Sequence, residues 1–235
     1  MLQTIRILLF LLAGTILSAC TEAPPEGSMD GTGILAIGDS MMAWNQLSGR
    51  SISHEIERQL GREVTDRSVS AASMLYALPI TGSLGLRISA QYVPGDWDWV
   101  VMNGGGNDLW LGCGCQRCAH KMDRLISEDG SYGEIPFLVT QMRAAGSRVA
   151  YLGYLRTPGR ASPIDSCAGI GAEFERRLAA MAEQDAGVFF ISNKDIVPDG
   201  DLSFHGPDRI HPSHKGSAAI GARVAALIQS QPDPF

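Results

Sequence analysis

Residues 33–40 have the sequence GILAIGDS, in which a short apolar run ends in a glycine, an aspartate and a serine. An apolar run of this length between glycines is typical of a buried β-strand. Ser40 then follows the carboxyl end of a strand, where open α/β sheets form their ligand-binding crevices. A serine hydroxyl is a weak nucleophile until a base removes its proton. If Ser40 is a nucleophile, the rest of the chain must supply a base, a group that orients the base, and donors for an oxyanion.

The candidate base lies near the carboxyl terminus, where Asp208 precedes His211 by three residues. Within a turn, this spacing lets the carboxylate reach Nδ1 of the imidazole and leaves Nε2 free to face a serine. Pro212 keeps His211 out of a helix, and Ser213 can cap the helix that follows. An isolated Asp-x-x-His pattern is more often a surface ion pair near a helix start, so the assignment depends on the other motifs.

Candidate oxyanion donors follow the apolar segment 97–102, which is predicted as a second buried strand. Residues 104–108 are GGGND, and glycine lets the backbone approach a ligand closely. The side-chain amide of Asn107 can donate to a developing oxyanion. A glycine-rich turn with an asparagine chosen for positive φ is the alternative interpretation. The spacing does not match the dinucleotide-binding pattern G-x-G-x-x-G.

Alternating strand and helix patterns predict one folded domain over residues 33–235. The strands are predicted at 33–38, 63–69, 97–102, 148–154 and 188–191, and the helices at 48–60, 119–126, 132–145, 172–184 and 213–228. Residues 86–92 are compatible with a further helix, and residues 111–118 are predicted as a loop. This alternation requires right-handed crossovers. It predicts an α/β fold, a three-layer α/β/α sandwich with a mostly parallel, five-stranded, flavodoxin-like sheet.

Taken together, the three motifs resemble the conserved blocks of the SGNH (GDSL-type) hydrolase family. In this resemblance Ser40 is the nucleophile, His211 the base and Asp208 its orienting partner. The backbone N–H of Ser40 and the side chain of Asn107 contribute to the oxyanion hole. The family usually has a glycine after its second strand, whose N–H is a further donor, and Ala71 is placed at that position here. Alanine can supply the same N–H if its φ is negative. If the site needs a positive φ, Ala71 is strained or the alignment is shifted by one residue.

The resemblance implies a serine ester hydrolase that forms an acyl-enzyme and needs no metal or organic cofactor. Family members act on short acyl esters, lysophospholipids, thioesters and glycan O-acetyl groups. The expected partner is therefore a small-molecule, glycan or lipid ester. Acyl transfer by the same residues, and a non-catalytic binding or assembly lipoprotein of the cell envelope on this fold, are the alternatives. An ordinary α/β-hydrolase is disfavoured because the nucleophile elbow G-x-S-x-G does not occur.

The first 32 residues are predicted to serve export and anchoring. Arg6 and the apolar segment 7–17 resemble a signal peptide, and this segment is too short to span a bilayer. The following LSAC resembles a bacterial lipobox, so residues 1–19 would be removed and Cys20 lipidated, with a plain secretory signal as the alternative. Residues 20–32 are polar and rich in Pro and Gly, which predicts a flexible tether. We expect a lipid-anchored protein of the bacterial envelope that faces the periplasm. Thr21 resembles an outer-membrane address, and the lipid is the expected membrane contact.

Four further cysteines lie in the domain: Cys113, Cys115, Cys118 and Cys167. An even number in an exported domain favours disulfides, and three connectivities are possible. A bridge between residues 111–118 and 156–171 would pin two loops that overhang the catalytic edge. A zinc site is the alternative, although the spacing Cys-x-Cys-x-x-Cys is imperfect for structural zinc.

The charge of the chain is acidic, with 19 basic and 25 acidic side chains and a formal net charge of −6. Nonspecific binding to nucleic acid needs a basic surface, so no nucleic-acid partner is expected. Trp44 and Trp110 each follow a candidate motif closely. They are predicted either to wall an apolar pocket or to pack in the core.

Overall fold

The computed structural model describes residues 33–157 and 162–232, and within them five strands form one parallel sheet. The strands are β1 (Gly33–Ile37), β2 (Val64–Asp66), β3 (Trp97–Met102), β4 (Arg148–Leu152) and β5 (Val188–Ile191). Their order across the sheet is β2-β1-β3-β4-β5, and each neighbouring pair is parallel. From β1 the chain adds β2 on one side of the sheet and then β3, β4 and β5 on the other. The position between β1 and β3 is therefore the topological switch point, where such sheets bind ligands.

The central strands are buried because both faces of the sheet are covered. All five residues of β1 are buried, and its side chains alternate between two apolar clusters. Leu35 and Ile37 pack in one cluster, and Ile34 and Ala36 pack in the other. This alternation follows from the two-residue period of a strand. The continuous apolar sequence is typical of a parallel strand with helices on both sides.

Eight α-helices occur in the described residues. They are α1 (Ser40–Ala43), α2 (Ile52–Leu60), α3 (Pro79–Thr81), α4 (Gly106–Cys113), α5 (Ala119–Leu125), α6 (Glu134–Ala144), α7 (Ala168–Ala182) and α8 (His214–Ser230). Side chains of α4 to α7 pack in one cluster, and side chains of α1, α2 and α8 pack in the other. The prediction of a three-layer α/β/α sandwich with five strands is therefore confirmed.

Serine caps set the starts of α2 and α8. Ser213 caps α8, as predicted, because its Oγ accepts a backbone N–H of the first turn. Helix α2 begins at Ile52 and not at residue 48, since Ser51 caps it in the same way. The preceding residues form a separate 3₁₀ turn, Gln46–Ser48, which ends at Gly49 with a φ of +65°.

The prediction of a loop over residues 111–118 is wrong in its first part. Helix α4 continues to Cys113 and ends at Gly114, whose φ of +63° is the left-handed conformation that stops helices. Within this helix Leu109 is buried, whereas Leu111 is exposed. A short helix with one buried apolar residue beside a glycine and cysteines lacks the apolar period that predicts a helix.

The connection between β2 and β3 has little regular structure. It contains α3, a π-helical turn (Gly82–Leu86) and a 3₁₀ turn (Ile88–Ala90). Arg87 between the two turns is extended, with φ −96° and ψ 119°. The extended residue interrupts the helix that was compatible with residues 86–92, so only one short turn forms there.

The signal peptide, Cys20 and the tether predicted from the sequence lie outside the described residues. The folded domain begins with β1, and its last helix ends at Ser230. In the ranges 33–157 and 162–232, no helix is long and apolar enough to cross a bilayer.

Candidate active site

The side chains of Ser40, His211 and Asp208 form one hydrogen-bonded chain. Ser40 is the first residue of α1, directly past the carboxyl end of β1. Its Oγ lies 2.8 Å from Nε2 of His211. Nδ1 of the same imidazole lies 2.6 Å from Oδ2 of Asp208. The structure therefore brings together three residues that the sequence analysis selected from opposite ends of the chain.

The turn that carries Asp208 holds its carboxylate with backbone donors. Oδ1 accepts the N–H groups of Ile210 and His211, each at 3.0 Å, and Arg209 between them has a φ of +58°. Burial acts to raise the pKa of Asp208, but the hydrogen bonds from the imidazole and from these N–H groups outweigh it. The pKa therefore lies below its ordinary value. A charged carboxylate at this distance assigns the imidazole proton to Nδ1.

The indole ring of Trp44 stacks on the imidazole of His211. The ring centroids are 3.9 Å apart and the ring planes differ by 7°. The next residue, Asn45, donates from Nδ2 to the carbonyl of Pro212 at 3.1 Å, which ties the segment after β1 to the start of α8. A stacked aromatic ring restricts rotation of the imidazole. Trp44, predicted as a pocket wall or a core residue, thus contacts the candidate base.

Two residues that the sequence analysis missed, Asn103 and Gln91, fix the backbone before Ser40. Gly38 has a φ of +153°, and a Cβ there would lie 1.9 Å from Oδ1 of Asn103, so the position requires glycine. Oε1 of Gln91 accepts the N–H of Gly38 at 2.7 Å, and its Nε2 donates to the carbonyl of Gly38 at 2.9 Å. Asn103 Oδ1 also accepts the N–H of Asp39 at 3.1 Å. The turn that presents Ser40 is therefore held on both sides.

Asp39 is 1% exposed, and its carboxylate is surrounded by donors. Oδ1 accepts a backbone N–H of α1 at 2.9 Å and Nδ2 of Asn103 at 2.7 Å, and Oδ2 accepts the hydroxyl of Tyr154. Burial raises the pKa of Asp39, although these hydrogen bonds oppose the shift. The hydroxyl of Tyr154 also accepts the N–H of Gly106 at 2.9 Å. A single hydroxyl therefore connects the serine turn to the start of α4.

Asn107 lies in the first turn of α4, at the same edge of the sheet. Its Nδ2 donates to the carbonyl of Ala72 at 2.9 Å, and an amide nitrogen carries a second hydrogen for another acceptor. The two carboxylate oxygens of Asp108 accept the N–H groups of Met74 and Leu75 at 2.9 and 2.8 Å. These bonds hold the segment after β2 against α4.

Ala71 has a φ of +66°, so the condition under which alanine supplies the N–H without strain, a negative φ, is not met. The left-handed conformation costs a residue with a Cβ roughly 1–2 kcal/mol, whereas glycine adopts it freely. The residue lies in a turn in which the N–H of Ala72 donates to the carbonyl of Val69 at 3.1 Å. The backbone here has the conformation of a glycine although the residue is alanine.

Residues 36–219 match the sequence model of the GDSL-like lipase/acylhydrolase family. This range includes all the candidate site residues described above. The chain belongs to this family. The resemblance drawn from the sequence motifs is therefore confirmed, and the protein is a hydrolase by family. No curated protein matches the chain significantly.

Solved structures share the fold of this GDSL-like hydrolase at low sequence identity. A Slackia heliotrinireducens protein named as an SGNH hydrolase is 20% identical, with a TM-score of 0.53, and the match covers 84% of this chain and 98% of that chain. A GDSL-like lipase from Bacteroides thetaiotaomicron VPI-5482 is 16% identical, with a TM-score of 0.58 and coverages of 85% and 88%. A carbohydrate esterase family 2 enzyme with a carbohydrate-binding domain, from Corynascus thermopiles (Myceliophthora fergusii), is 16% identical, with a TM-score of 0.56 and coverages of 88% and 68%. At these identities the likeness establishes the fold alone.

A cavity of about 260 Å³ opens beside the candidate site of this GDSL-like hydrolase. Ser40, Asn107 and His211 are among its lining residues, together with other residues of α4 and α7. Trp110, the second tryptophan singled out in the sequence, is one of these lining residues. The hydrogen-bonded chain is therefore placed where a bound substrate would reach it.

All four cysteines of the domain are paired in disulfides. Cys113 and Cys118 join the end of α4 to the start of α5. Cys115 and Cys167 join the turn after α4 to the start of α7, which is the link anticipated between residues 111–118 and 156–171. Disulfide sulfurs do not ligate zinc as thiolates do, so this pairing does not support the zinc alternative. No cluster of three or more potential metal ligands occurs among the residues that the structure describes.

Proposed function

We propose that this protein is a serine ester hydrolase that works through an acyl-enzyme, with Ser40 as the nucleophile. The observation that carries the proposal is the continuous hydrogen-bonded chain from Ser40 through His211 to Asp208. Its position beside a cavity and membership of a lipase/acylhydrolase family support the same chemistry.

The proposed reaction begins with attack of Ser40 Oγ on the ester carbonyl. Nε2 of His211, 2.8 Å away, takes the hydroxyl proton and then gives it to the departing alcohol. Asp208 stays ionised, holds Nδ1–H and stabilises the imidazolium. Water activated by the same imidazole then attacks the acyl-enzyme and releases the acid.

The tetrahedral intermediate carries a negative oxygen that needs hydrogen-bond donors. The proposed donors are the backbone N–H groups of Ser40 and Ala71 and the second N–H of Asn107. The bond from Asn107 to the carbonyl of Ala72 supports its role, because it fixes the amide plane. Removing one such donor typically costs about 2.7–4 kcal/mol of transition-state stabilisation.

The proposed substrates are carboxylic esters, including those of lipids and glycans. The similarity of the fold to a carbohydrate esterase supports the inclusion of glycan esters. The lipobox-like residues 17–20 support anchoring of the enzyme in the cell envelope through a lipid on Cys20. Replacing Cys20 with alanine should then move the protein from the membrane fraction to the soluble fraction of cells.

The test of the proposed function is turnover of p-nitrophenyl esters by the wild type and by Ser40→Ala and His211→Ala variants. Both substitutions should lower kcat by about 10³-fold or more. A fluorophosphonate probe should label the wild type and not Ser40→Ala. Ser83→Ala is the matched control, since Ser83 is exposed and its hydroxyl donates to the carbonyl of Ile80. This variant should retain both turnover and labelling.

Three outcomes would count against this mechanism or refine it. Turnover that survives Ser40→Ala would contradict the assigned nucleophile. A folded wild type that neither turns over esters nor reacts with the probe would favour a non-catalytic binding protein. Labelling without ester hydrolysis would point to acyl transfer through the same serine.

A further inference from the structure

The cavity beside Ser40 has mostly apolar walls. Ser40 and His211 are among its lining residues. The apolar side chains that line the cavity include Leu109, Trp110, Leu155, Ile164, Ile170 and Phe174. Walls of this kind favour a group without polar atoms, because burying such a group removes apolar surface from water on both sides.

Two charged residues at the wall of the cavity, Arg156 and Glu175, pair with each other. Nη2 of Arg156 donates to Oε2 of Glu175 at 2.9 Å, and Oγ of Ser192 donates to the same oxygen at 3.1 Å. A paired carboxylate and guanidinium do not require a polar ligand to compensate their burial. Their presence is therefore compatible with an apolar occupant.

The size of the cavity is large for a short acyl group. An engineered protein cavity of about 150 Å³ is sufficient to bind benzene, and the cavity here measures about 260 Å³. An acetyl group, which has only a methyl on its carbonyl carbon, would leave most of this space unfilled. Water in the remaining space would find few polar partners along the apolar walls.

We propose that this cavity binds the acyl group of the ester and that the preferred acyl group is an apolar chain longer than acetyl. The inference rests on the proposed serine hydrolase function and adds the class of acid that the site selects. The acyl group stays attached to Ser40 until water attacks, whereas the alcohol must take a proton from His211 and depart. A cavity with apolar walls beside the serine therefore suits the acyl group better than the alcohol.

Two glycines of α7 offer a matched pair of variants. Gly171 lines the cavity, and a Cβ built on it would meet only Nη1 of Arg156, at 3.4 Å. Outside its own helix, no backbone atom lies within 4 Å of that Cβ, so the position admits the start of a leucine side chain. Gly169 is exposed, and a Cβ built on it would meet nothing within 4 Å. Leucine is a better helix former than glycine, so both substitutions favour the helix.

The experiment compares kcat/KM for p-nitrophenyl acetate, butyrate, hexanoate and octanoate. In the wild type, kcat/KM should rise about fourfold for each additional methylene buried, up to hexanoate. Gly171→Leu should lower the ratio of hexanoate to acetate turnover by about tenfold or more, since the leucine takes the place of the chain. Gly169→Leu should keep the wild-type ratio. A second series, ethyl, butyl and hexyl acetate with the wild type, tests the alcohol side without any variant.

Each result decides the proposal. A wild type that prefers acetate, or a length dependence confined to the alcohol series, would overturn the assignment of the cavity to the acyl group. An equal loss of hexanoate preference in Gly169→Leu and Gly171→Leu would overturn it as well. Fluorophosphonate labelling with a flat acyl profile would overturn this inference alone. Absence of both labelling and turnover would overturn the proposed function and this inference with it.

Discussion

At the residue scale, replacing Asp208 with asparagine tests the orientation of His211 with little change in side-chain size. The amide can turn an N–H toward Nδ1 and so favour the wrong tautomer of the imidazole. We expect kcat/KM for p-nitrophenyl esters to fall by about 10³–10⁴-fold. Asp199→Asn is the control, because Asp199 is exposed and should leave kcat/KM within about twofold. Equal activity of the two variants would contradict the role of Asp208.

The same carboxylate should make stability depend on pH in acid. Its pKa in the folded protein lies below the ordinary value of 3.8 because of the hydrogen bonds it accepts from His211 and the turn, which outweigh burial. The unfolded chain then binds more protons in this range, so the stability contributed by Asp208 is present above about pH 4 and is lost as the pH falls through the lowered pKa. The difference in Tm between the wild type and Asp208→Asn should shrink as the pH is lowered from about 5 to about 2. A difference that stays constant over this range would contradict the lowered pKa.

Tyr154 is a second residue whose removal should be measurable. Phenylalanine at this position removes the donor to the buried carboxylate of Asp39 and the acceptor for the N–H of Gly106. We expect the free energy of unfolding to fall by about 1–3 kcal/mol, measured by urea denaturation, and kcat to fall as well. Tyr132→Phe serves as the control, since Tyr132 is 79% exposed. If the two variants lost the same stability, the contact with Asp39 would not be important.

The site residues predicted from the sequence lie in short motifs, whereas the residues that were missed make contacts with partners far away in the sequence. Ser40 and His211 lie in short motifs next to predicted strand and helix ends. The predicted fold therefore places the two side chains close together at one edge of the sheet. Tyr154 lies 115 residues from its partner Asp39, and Gln91 lies 53 residues from Gly38. Neither sits in a motif, and the contacts exist only once the strands are in order. Sequence reasoning therefore predicted which side chains meet at the candidate site but not the groups that support them.

At the scale of elements, a substitution by glycine in the turn after β2 is predicted to stabilise the protein. Ala71 has a left-handed backbone, and glycine would relieve roughly 1–2 kcal/mol of strain while adding about 0.4–1 kcal/mol of unfolded-state entropy. Ala71→Gly should therefore raise the free energy of unfolding by about 0.5–1 kcal/mol. Ala172→Gly, on the exposed side of α7, should lower it by a similar amount. Destabilisation by both substitutions in urea denaturation would contradict the strain.

The elements that the sequence predicted well are those with a strong and uninterrupted pattern. Strands β3 and β5 have the predicted bounds. A short apolar run is typical of a buried strand, and its first and last apolar residues mark the strand ends. The left-handed turn at Ala71 was not predicted, since alanine carries no signal for positive φ. Helix α4 was missed because its glycines and cysteines conceal the helical period. Pattern reasoning thus gives the layers of this fold and loses accuracy where small residues define the backbone.

At the scale of the whole molecule, the two disulfides should contribute unequally to stability. Cys115 and Cys167 are 52 residues apart, whereas Cys113 and Cys118 are 5 residues apart. On the loop-entropy relation, the longer loop corresponds to about 4 kcal/mol and the shorter one to about 2 kcal/mol. The double variant Cys115→Ala/Cys167→Ala should therefore lose about 2 kcal/mol more than Cys113→Ala/Cys118→Ala in urea denaturation. An equal or smaller loss would show that residual structure in the unfolded chain already closes the long loop.

The direction of the first strand and the last helix has a practical consequence for attaching this protein to a surface. Strand β1 runs about 17 Å from Gly33 to the edge that carries Ser40. Helix α8 starts at that same edge and returns, and Nη2 of Arg148, at the start of β4, donates to the carbonyl of Pro232 at 2.7 Å. Gly33 and Pro232, the first and last residues that the structure describes, therefore lie at the edge opposite the cavity. A bead, a fusion partner or a sensor chip coupled at either end would leave the opening accessible to dissolved ligands.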